Sequence, residues 1–548
     1  MVLTDTKLVD NYYNNESITQ DSNSESITIK NIEDGEIITY SLILIRGKVS
    51  IPCTYMNVRG THKNIVNKWP IIAGEFRILV DLVRGINKLE LEANGIIKRL
   101  ILIHEPRSTT FRVAPVYVIC AGHDGYFQGP INEDKSPESA ATRIGLGARL
   151  LQSLTAEKLR EAGHGRKTFQ LERDLDGPEC LVMHSMLHVD SARAMNQREL
   201  WEFVGRELMT GPLASKDRKY LAFLSCTKYR GAPSPRTHEA TLASTQGHAA
   251  LGGGGLALFG SACLHTWPTS LNQVLNKFLD TSIIDTDQLM DDSNYRGTHG
   301  GCLATTLGSV LHELGHTFDL GHTREGIMGR GFNYVDHVFV GKEAVTINNN
   351  SNNIRQDPQH TTVTLSKPLS VTVTIDHNGV SSRRGRLMSE TTTKMNDNFI
   401  DKNLVGRMSA PASPVIHKSF SHSLTVEVDS ESLLCDKIFW GPSCATILAY
   451  HRWFNNTLDN NNRVHRNTNE IKYNIKRNVV RSCYGIRIIE LRELSNGMVL
   501  NYRQFPGPRP PTEALVPLPS SFHCYISLTL FAEDSAGNIL KSPLPTAF

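Results

Sequence analysis

His312, Glu313 and His316 fall in one run, His312-Glu313-Leu314-Gly315-His316. On a helix, positions i and i+4 share a face, so both imidazoles can converge on one ion. Glu313 follows the first imidazole and comes to lie beside that ion, placed to take a proton from bound water. Zinc suits such a set, because it lowers the pKa of its water towards neutrality and polarises a carbonyl oxygen. His322 stands six positions after His316 and offers a third imidazole, if the helix stops near Phe318 and the chain turns back. Three protein ligands leave a position open for water, whereas a structural zinc is usually closed by four. Gly326-Ile327-Met328 follows closely, and Met328 can form an apolar floor under the three rings. Burying three histidines and a glutamate without a metal would leave several polar groups short of partners. The expected site is therefore one catalytic Zn2+ on His312, His316 and His322, with Glu313 as general base.

Further candidates surround this run. Tyr334 could donate to the oxyanion of a tetrahedral intermediate. His337 and Asp336 could hydrogen-bond a ligand imidazole from behind. A four-glycine run, Gly252–Gly255, feeds the short apolar strand Leu256, Ala257, Leu258, Phe259. The run lacks the GxxxxGK[ST] lysine, which argues against a phosphate loop.

The elements that must position these residues can be read from periodicity. Leu303–Phe318 reads as a helix with Leu303, Leu307, Val310, Leu311 and Leu314 on its apolar side. Val113–Cys120 and Lys219–Cys226 read as buried strands, and the segment from Glu138 to Gly163 as an amphipathic helix. This alternation begins near residue 111 and holds the chemistry. Before it, residues 27–110 are β-branched runs cut by Gly and Asn, expected as a small antiparallel β-sandwich. Phe439–Phe454 resumes a helical pattern that closes the catalytic block at about residue 456. Residues 457–548 are strand-like again, with a turn at Asp534–Asn538, and a second β-sandwich is expected there. Residues 1–26 are Asn/Ser/Asp-rich and expected to be disordered. Residues of about 345–431 are Asn/Ser/Thr-rich and expected to form a polar insertion. The expected fold class is α+β, a catalytic domain at 111–456 flanked by two β-sandwich domains.

Composition narrows the partners. Net charge is +3 over 548 residues, which gives no reason to expect nucleic acid or an anionic membrane. No apolar run approaches the ~20 residues needed to span a bilayer. The N-terminal stretch carries no apolar h-region, so a secretory signal is not expected. Ten cysteines without a CxxC then read as reduced thiols in a cytoplasmic protein.

The run His312 to His322 followed by Met328 resembles the metzincin metallopeptidases, whose pattern is HExxHxxGxxH with a methionine-containing turn. One position departs: Asp319 stands where the family has glycine. Glycine serves there because it tolerates positive φ, and Asp and Asn are the next most tolerant residues. VYVICAGHDGYFQGP, GRKTFQLE, GGLALFGSACLHTWP, HELGHTFDLGHTREGIMGRGF and AYHRWF are similar to segments of a family of proposed zinc metallopeptidases of fungi and animals. That resemblance implies a metzincin-like catalytic domain and an intracellular protein. It also implies that a strand above the site binds substrate by β-augmentation, a role that fits Gly254, Leu256, Ala257, Leu258 and Phe259. Some fungal relatives carry a jacalin-like lectin domain, of which no clear counterpart is seen here. The expected function is hydrolysis of peptide bonds in a peptide or protein substrate. The competing reading is a zinc-containing module whose flanking sandwiches bind a protein or a glycan. A zinc hydrolase acting on other bonds is a third, less favoured because the methionine follows so closely.

Overall fold

The computed structural model describes residues 26–60, 63–234, 236–341, 438–455, 471–518 and 527–544. The expected disordered segment 1–26, except Ser26, and the expected insertion at about 345–431 lie outside these residues. What is described is a mixed α+β structure with several sheets.

A five-stranded sheet forms the middle of the chain. Its order is Leu181–His188, Arg112–Ala121, Arg218–Leu224, Leu256–Gly260 and Ala250–Gly253. The first four strands are parallel and the last runs antiparallel. Parallel strands covered on both faces read as continuous apolar runs, and the strand Arg112–Ala121 is buried along nearly its whole length. Its alternate residues feed two cores, because side chains of a strand point to opposite faces. Val113, Tyr117 and Ile119 pack with the helix Pro137–Glu161, through Ile144, Leu150, Leu151 and Leu154. Ala114, Val116, Val118 and Cys120 pack with Leu200, Val204 and Leu208 of the helix Gln197–Thr210.

The helix that carries the site, His299–Thr317, lies on the first of these faces. Thr298 caps it by accepting from the Gly301 N–H at 3.1 Å. The expected apolar side is the buried one: Leu303, Leu307, Val310, Leu311 and Leu314 are all within the core.

The N-terminal flank is a single eight-stranded sheet spanning residues 27–104, antiparallel except where Ile37–Ile38 pairs with Ile96–His104. The helix Pro442–Tyr450 precedes the C-terminal flank, which contains a three-stranded sheet and a four-stranded sheet. The four-stranded sheet runs Val499–Gln504, Ile486–Glu493, Leu528–Asp534, Ile539–Pro543. Its two middle strands are buried on both faces, with Ile488 and Phe531 joining the main core and Ile486, Ile489 and Leu530 a core of their own. Among the described residues no helix is long and apolar enough to cross a membrane. Among the described residues, Cys53, Cys120, Cys180, Cys226, Cys263, Cys302 and Cys444 are free thiols.

Candidate metal centre

The three imidazoles come together from one helix and the turn after it. His312 and His316 lie one turn apart near the C-terminal end of His299–Thr317. The helix ends at Phe318, and the chain reverses through bonds from the Phe318 and Leu320 N–H groups to the Gly315 carbonyl, at 2.9 and 3.2 Å. Asp319 takes the left-handed conformation this reversal needs, with φ +66°. That is the position where the metzincin pattern has glycine, and aspartate fills it without leaving the αL region. His322 follows, and ligand nitrogens of His312, His316 and His322 all lie within 4.8 Å of one another.

Each ring is fixed by a hydrogen bond to a main-chain carbonyl. Nδ1 of His312 bonds the Ile327 carbonyl at 2.8 Å, that of His316 the Leu320 carbonyl at 2.9 Å, and that of His322 the Asn496 carbonyl at 2.7 Å. A carbonyl only accepts, so each Nδ1 carries the proton and each neutral ring presents a bare Nε2. His316 Nε2 and His322 Nε2 then face each other at 3.1 Å with no proton between them. Two lone pairs at that distance repel, and a cation between them removes the conflict. The donor set therefore fits zinc: three neutral imidazoles, their other nitrogens anchored, at one point. Burial pushes all three imidazoles down, His312 to about 4, which keeps them neutral as ligands must be.

Glu313 projects towards the sheet. Its Oε2 accepts the Gly252 N–H at 2.7 Å. Burial raises its carboxyl to about 8 in the metal-free chain, against the lowering effect of that bond; a nearby dication would favour the carboxylate. These shifts have opposite signs for stability. The imidazoles' folded pKa values lie below the unfolded one, so their contribution is lost as pH falls below about 6.5. Glu313 is the reverse, and its contribution is lost as pH rises from about 4.5 towards about 8. From these four groups, metal-free protein should melt highest near pH 7, clearly lower at pH 5, where three imidazoles outweigh one carboxyl, and slightly lower at pH 8. A melting temperature climbing steadily across that range would contradict the burial described.

The glycine run divides between strand and turn: Gly252 and Gly253 end one strand, and Gly254 and Gly255 form the hairpin turn to the next. Ala250–Gly253 is the free edge strand of the central sheet, and Leu256–Gly260 is an interior strand with partners on both sides. This corrects the assignment of Gly254, Leu256, Ala257, Leu258 and Phe259 as a substrate-binding edge: Gly254 is in the hairpin turn, and the main-chain groups of Leu256–Phe259 are already paired on both sides. In an antiparallel pair each residue's N–H and C=O point to the same side. Gly252 turns its N–H outward to Glu313, so Ala250, two residues back, also faces outward. Glycine is required at 252 because the edge strand meets the site helix backbone to backbone. A Cβ there would sit 2.0 Å from the Glu313 carbonyl oxygen. Gly252→Ala should destabilise the fold by roughly 3 kcal/mol through overpacking. Denaturant unfolding checks this, and an unchanged midpoint would contradict it.

The remaining candidates fall as follows. Met328 is buried in the core, and its sulfur lies where a Cβ on Gly315 would come within 2.6 Å, between the two helix ligands in sequence. The rings of Tyr334 and His337 lie tilted against each other, with centroids 5.4 Å apart and planes at 42°. The aromatic ring against a ligand is instead Phe332, 5.1 Å from His312. Asp336 bonds Arg296 at 3.2 Å, and the three imidazole Nδ1 atoms are oriented by backbone carbonyls, so the expected orienting role of His337 and Asp336 is filled by the main chain. The partner of His322 was not foreseeable locally, since Asn496 is 174 residues away and a carbonyl leaves no mark in the sequence.

Comparison with known proteins agrees with this chemistry. A family described as a putative peptidase family, Metallopep, matches residues 26–405. A protein of Saccharomyces cerevisiae named putative zinc metalloproteinase is 26% identical over 359 residues, 60% of this chain and 51% of the relative. One of the same description from Schizosaccharomyces pombe is 25% identical over 351 residues, 58% of this chain and 54% of the relative. The chain thus spans about half the length of these curated relatives. Among solved structures, a carbohydrate acetylesterase from Xanthomonas citri covers 36% of this chain and 51% of its own at 11% identity, but its TM-score of 0.12 carries no argument.

Proposed function

The chain belongs to the Metallopep peptidase family, and on that premise we propose that it is a zinc-dependent endopeptidase with a metzincin-like catalytic domain between two flanks built of β-sheet. The observation that carries this reading is the facing pair of bare Nε2 atoms, His316 and His322, with His312 beside them and Glu313 next in sequence. A zinc ion held by these rings would supply an acidified water and polarise the scissile carbonyl.

The chain's own groups account for the rest. Glu313 takes one proton from water as its oxygen adds to the peptide carbonyl carbon. It then gives that proton to the leaving nitrogen as the C–N bond breaks, and the second proton of the water passes from the new carboxyl to the amine, leaving a carboxylate and an ammonium group. The edge strand Ala250–Gly253, with outward-facing main-chain groups beside Glu313, suits an extended substrate added as a further strand. The substrate is then a peptide or an unfolded protein segment rather than nucleic acid or a membrane. The free thiols of the other seven described cysteines, Cys483 aside, accord with a cytoplasmic setting.

Incubation with an unfolded protein, read by mass spectrometry, tests the reading. New internal termini are expected. Zinc bound with no cleavage of any peptide would replace it with a binding module for protein or glycan. Tyr334 is the candidate oxyanion donor. Tyr334→Phe should lower kcat on the order of 10²-fold with KM little changed, and an unchanged kcat would remove that role.

A further inference from the structure

The third ligand belongs to the turn after the site helix, but it is held from the far end of the chain. His322 N–H donates to the Gly497 carbonyl at 3.1 Å, and its own carbonyl accepts from the Val499 N–H at 2.9 Å. Its Nδ1 donates to the Asn496 carbonyl at 2.7 Å. The main chain of His322 and its ring are thus both bonded to one turn, the connection between the strands Ile486–Glu493 and Val499–Gln504. That turn is itself well determined. Gly497 has φ +71°, its N–H bonds the Glu493 carbonyl at 2.9 Å, and the Asn496 side chain accepts the Met498 N–H at 2.8 Å. A Cβ on Gly321 would come within 2.8 Å of the Gly497 carbonyl oxygen, so the two backbones are in direct contact.

A second contact holds the turn after the site helix from another strand. The Asp319 carboxylate accepts from Lys541 Nζ at 2.5 Å, and its other oxygen lies 3.3 Å from His451 Nε2. Lys541 is on the edge strand Ile539–Pro543 of the same four-stranded sheet. This gives a physical use to the one departure from the metzincin pattern: aspartate supplies both the positive φ and a charge for the C-terminal sheet to grip. Glycine could do only the first.

We infer that the C-terminal sheet is a working part of the metal centre, in which the Glu493–Val499 turn and Lys541 act as positioning elements for His322. The inference rests on the zinc reading above and adds to it residues outside 26–405. Loss of such outer contacts typically costs 10–100-fold in metal affinity.

The test uses the full chain. Zinc affinity is measured by competition with a chromophoric chelator, and ligand geometry by the visible spectrum of Co2+-loaded protein. Gly497→Val, with a β-branched residue at positive φ, should weaken zinc by about 10–100-fold and alter the Co2+ spectrum. Gly497→Asn, which tolerates that φ, should restore both to near wild type. Lys541→Met, at a half-exposed side chain that should not threaten folding, should weaken zinc several-fold. Wild-type affinity and spectrum in both Gly497→Val and Lys541→Met would overturn the inference while leaving the metal site standing. If Gly497→Val does not fold, Lys541→Met decides alone. A wild-type chain that binds no zinc would instead overturn the metal reading, and this inference with it.

Discussion

Glu313→Gln is expected to lower peptide hydrolysis by about 10²–10⁴-fold while the chain still binds one zinc. The geometry explains why the two effects separate. Glutamine matches glutamate in shape, and its amide oxygen can still accept the Gly252 N–H that Glu313 accepts at 2.7 Å. The edge strand and the helix therefore keep their contact. What is lost is the ability to take a proton from water and hand it to the leaving amine. None of the three imidazole anchors involves Glu313, since they run to the carbonyls of Ile327, Leu320 and Asn496. Metal analysis and initial rates on the same preparations check the result. Equal rates for the two proteins would remove Glu313 from the chemistry.

His316→Ala should have the larger effect on the metal. His316 stands between the other two ligands in sequence, and its Nε2 lies 3.1 Å from that of His322. Removing it leaves two imidazoles, too few to hold zinc against water, and strands the Leu320 carbonyl that its Nδ1 served at 2.9 Å. Zinc should be absent after dialysis and cleavage reduced to background. The thermal response separates this from simple unfolding. A ligand at 1,000 times its Kd adds about 4 kcal/mol to the folded state, so zinc should raise the melting temperature of metal-free wild type. It should leave that of metal-free His316→Ala unmoved. Stoichiometric zinc in the variant would show that the ion, if present, sits elsewhere.

How far the sequence disclosed this site follows from the physics of each contact. His312, Glu313 and His316 were legible because helical periodicity alone places them, and the apolar side Leu303 to Leu314 fixes which way the helix faces. His322 was legible by its spacing, and the positive φ of Asp319 is what that spacing demands of the turn. The edge strand was misplaced by one hairpin. Glycines argue for a loop by propensity, yet Gly252 is a strand residue made glycine by the helix backbone 2.0 Å from where its Cβ would be. Such a requirement is tertiary and invisible to local patterns. The same holds for the C-terminal grip on His322 and Asp319. Asn496 acts through its carbonyl, which every residue has, and Lys541 reads as an ordinary surface charge. The flanking strands were recognisable one by one from their β-branched runs, but not the eight-stranded order of the N-terminal sheet or the division of the C-terminal strands into two sheets. Order among strands is set by contacts distant in sequence.

The central claim is that peptide hydrolysis by this chain depends on a metal held by His312, His316 and His322. Its most direct test is cleavage of an unfolded protein by three samples of the same preparation: as purified, stripped by a chelator, and stripped then resupplied with one equivalent of zinc. The account predicts activity, its loss, and its return. Cleavage that persists in the metal-free sample would contradict it.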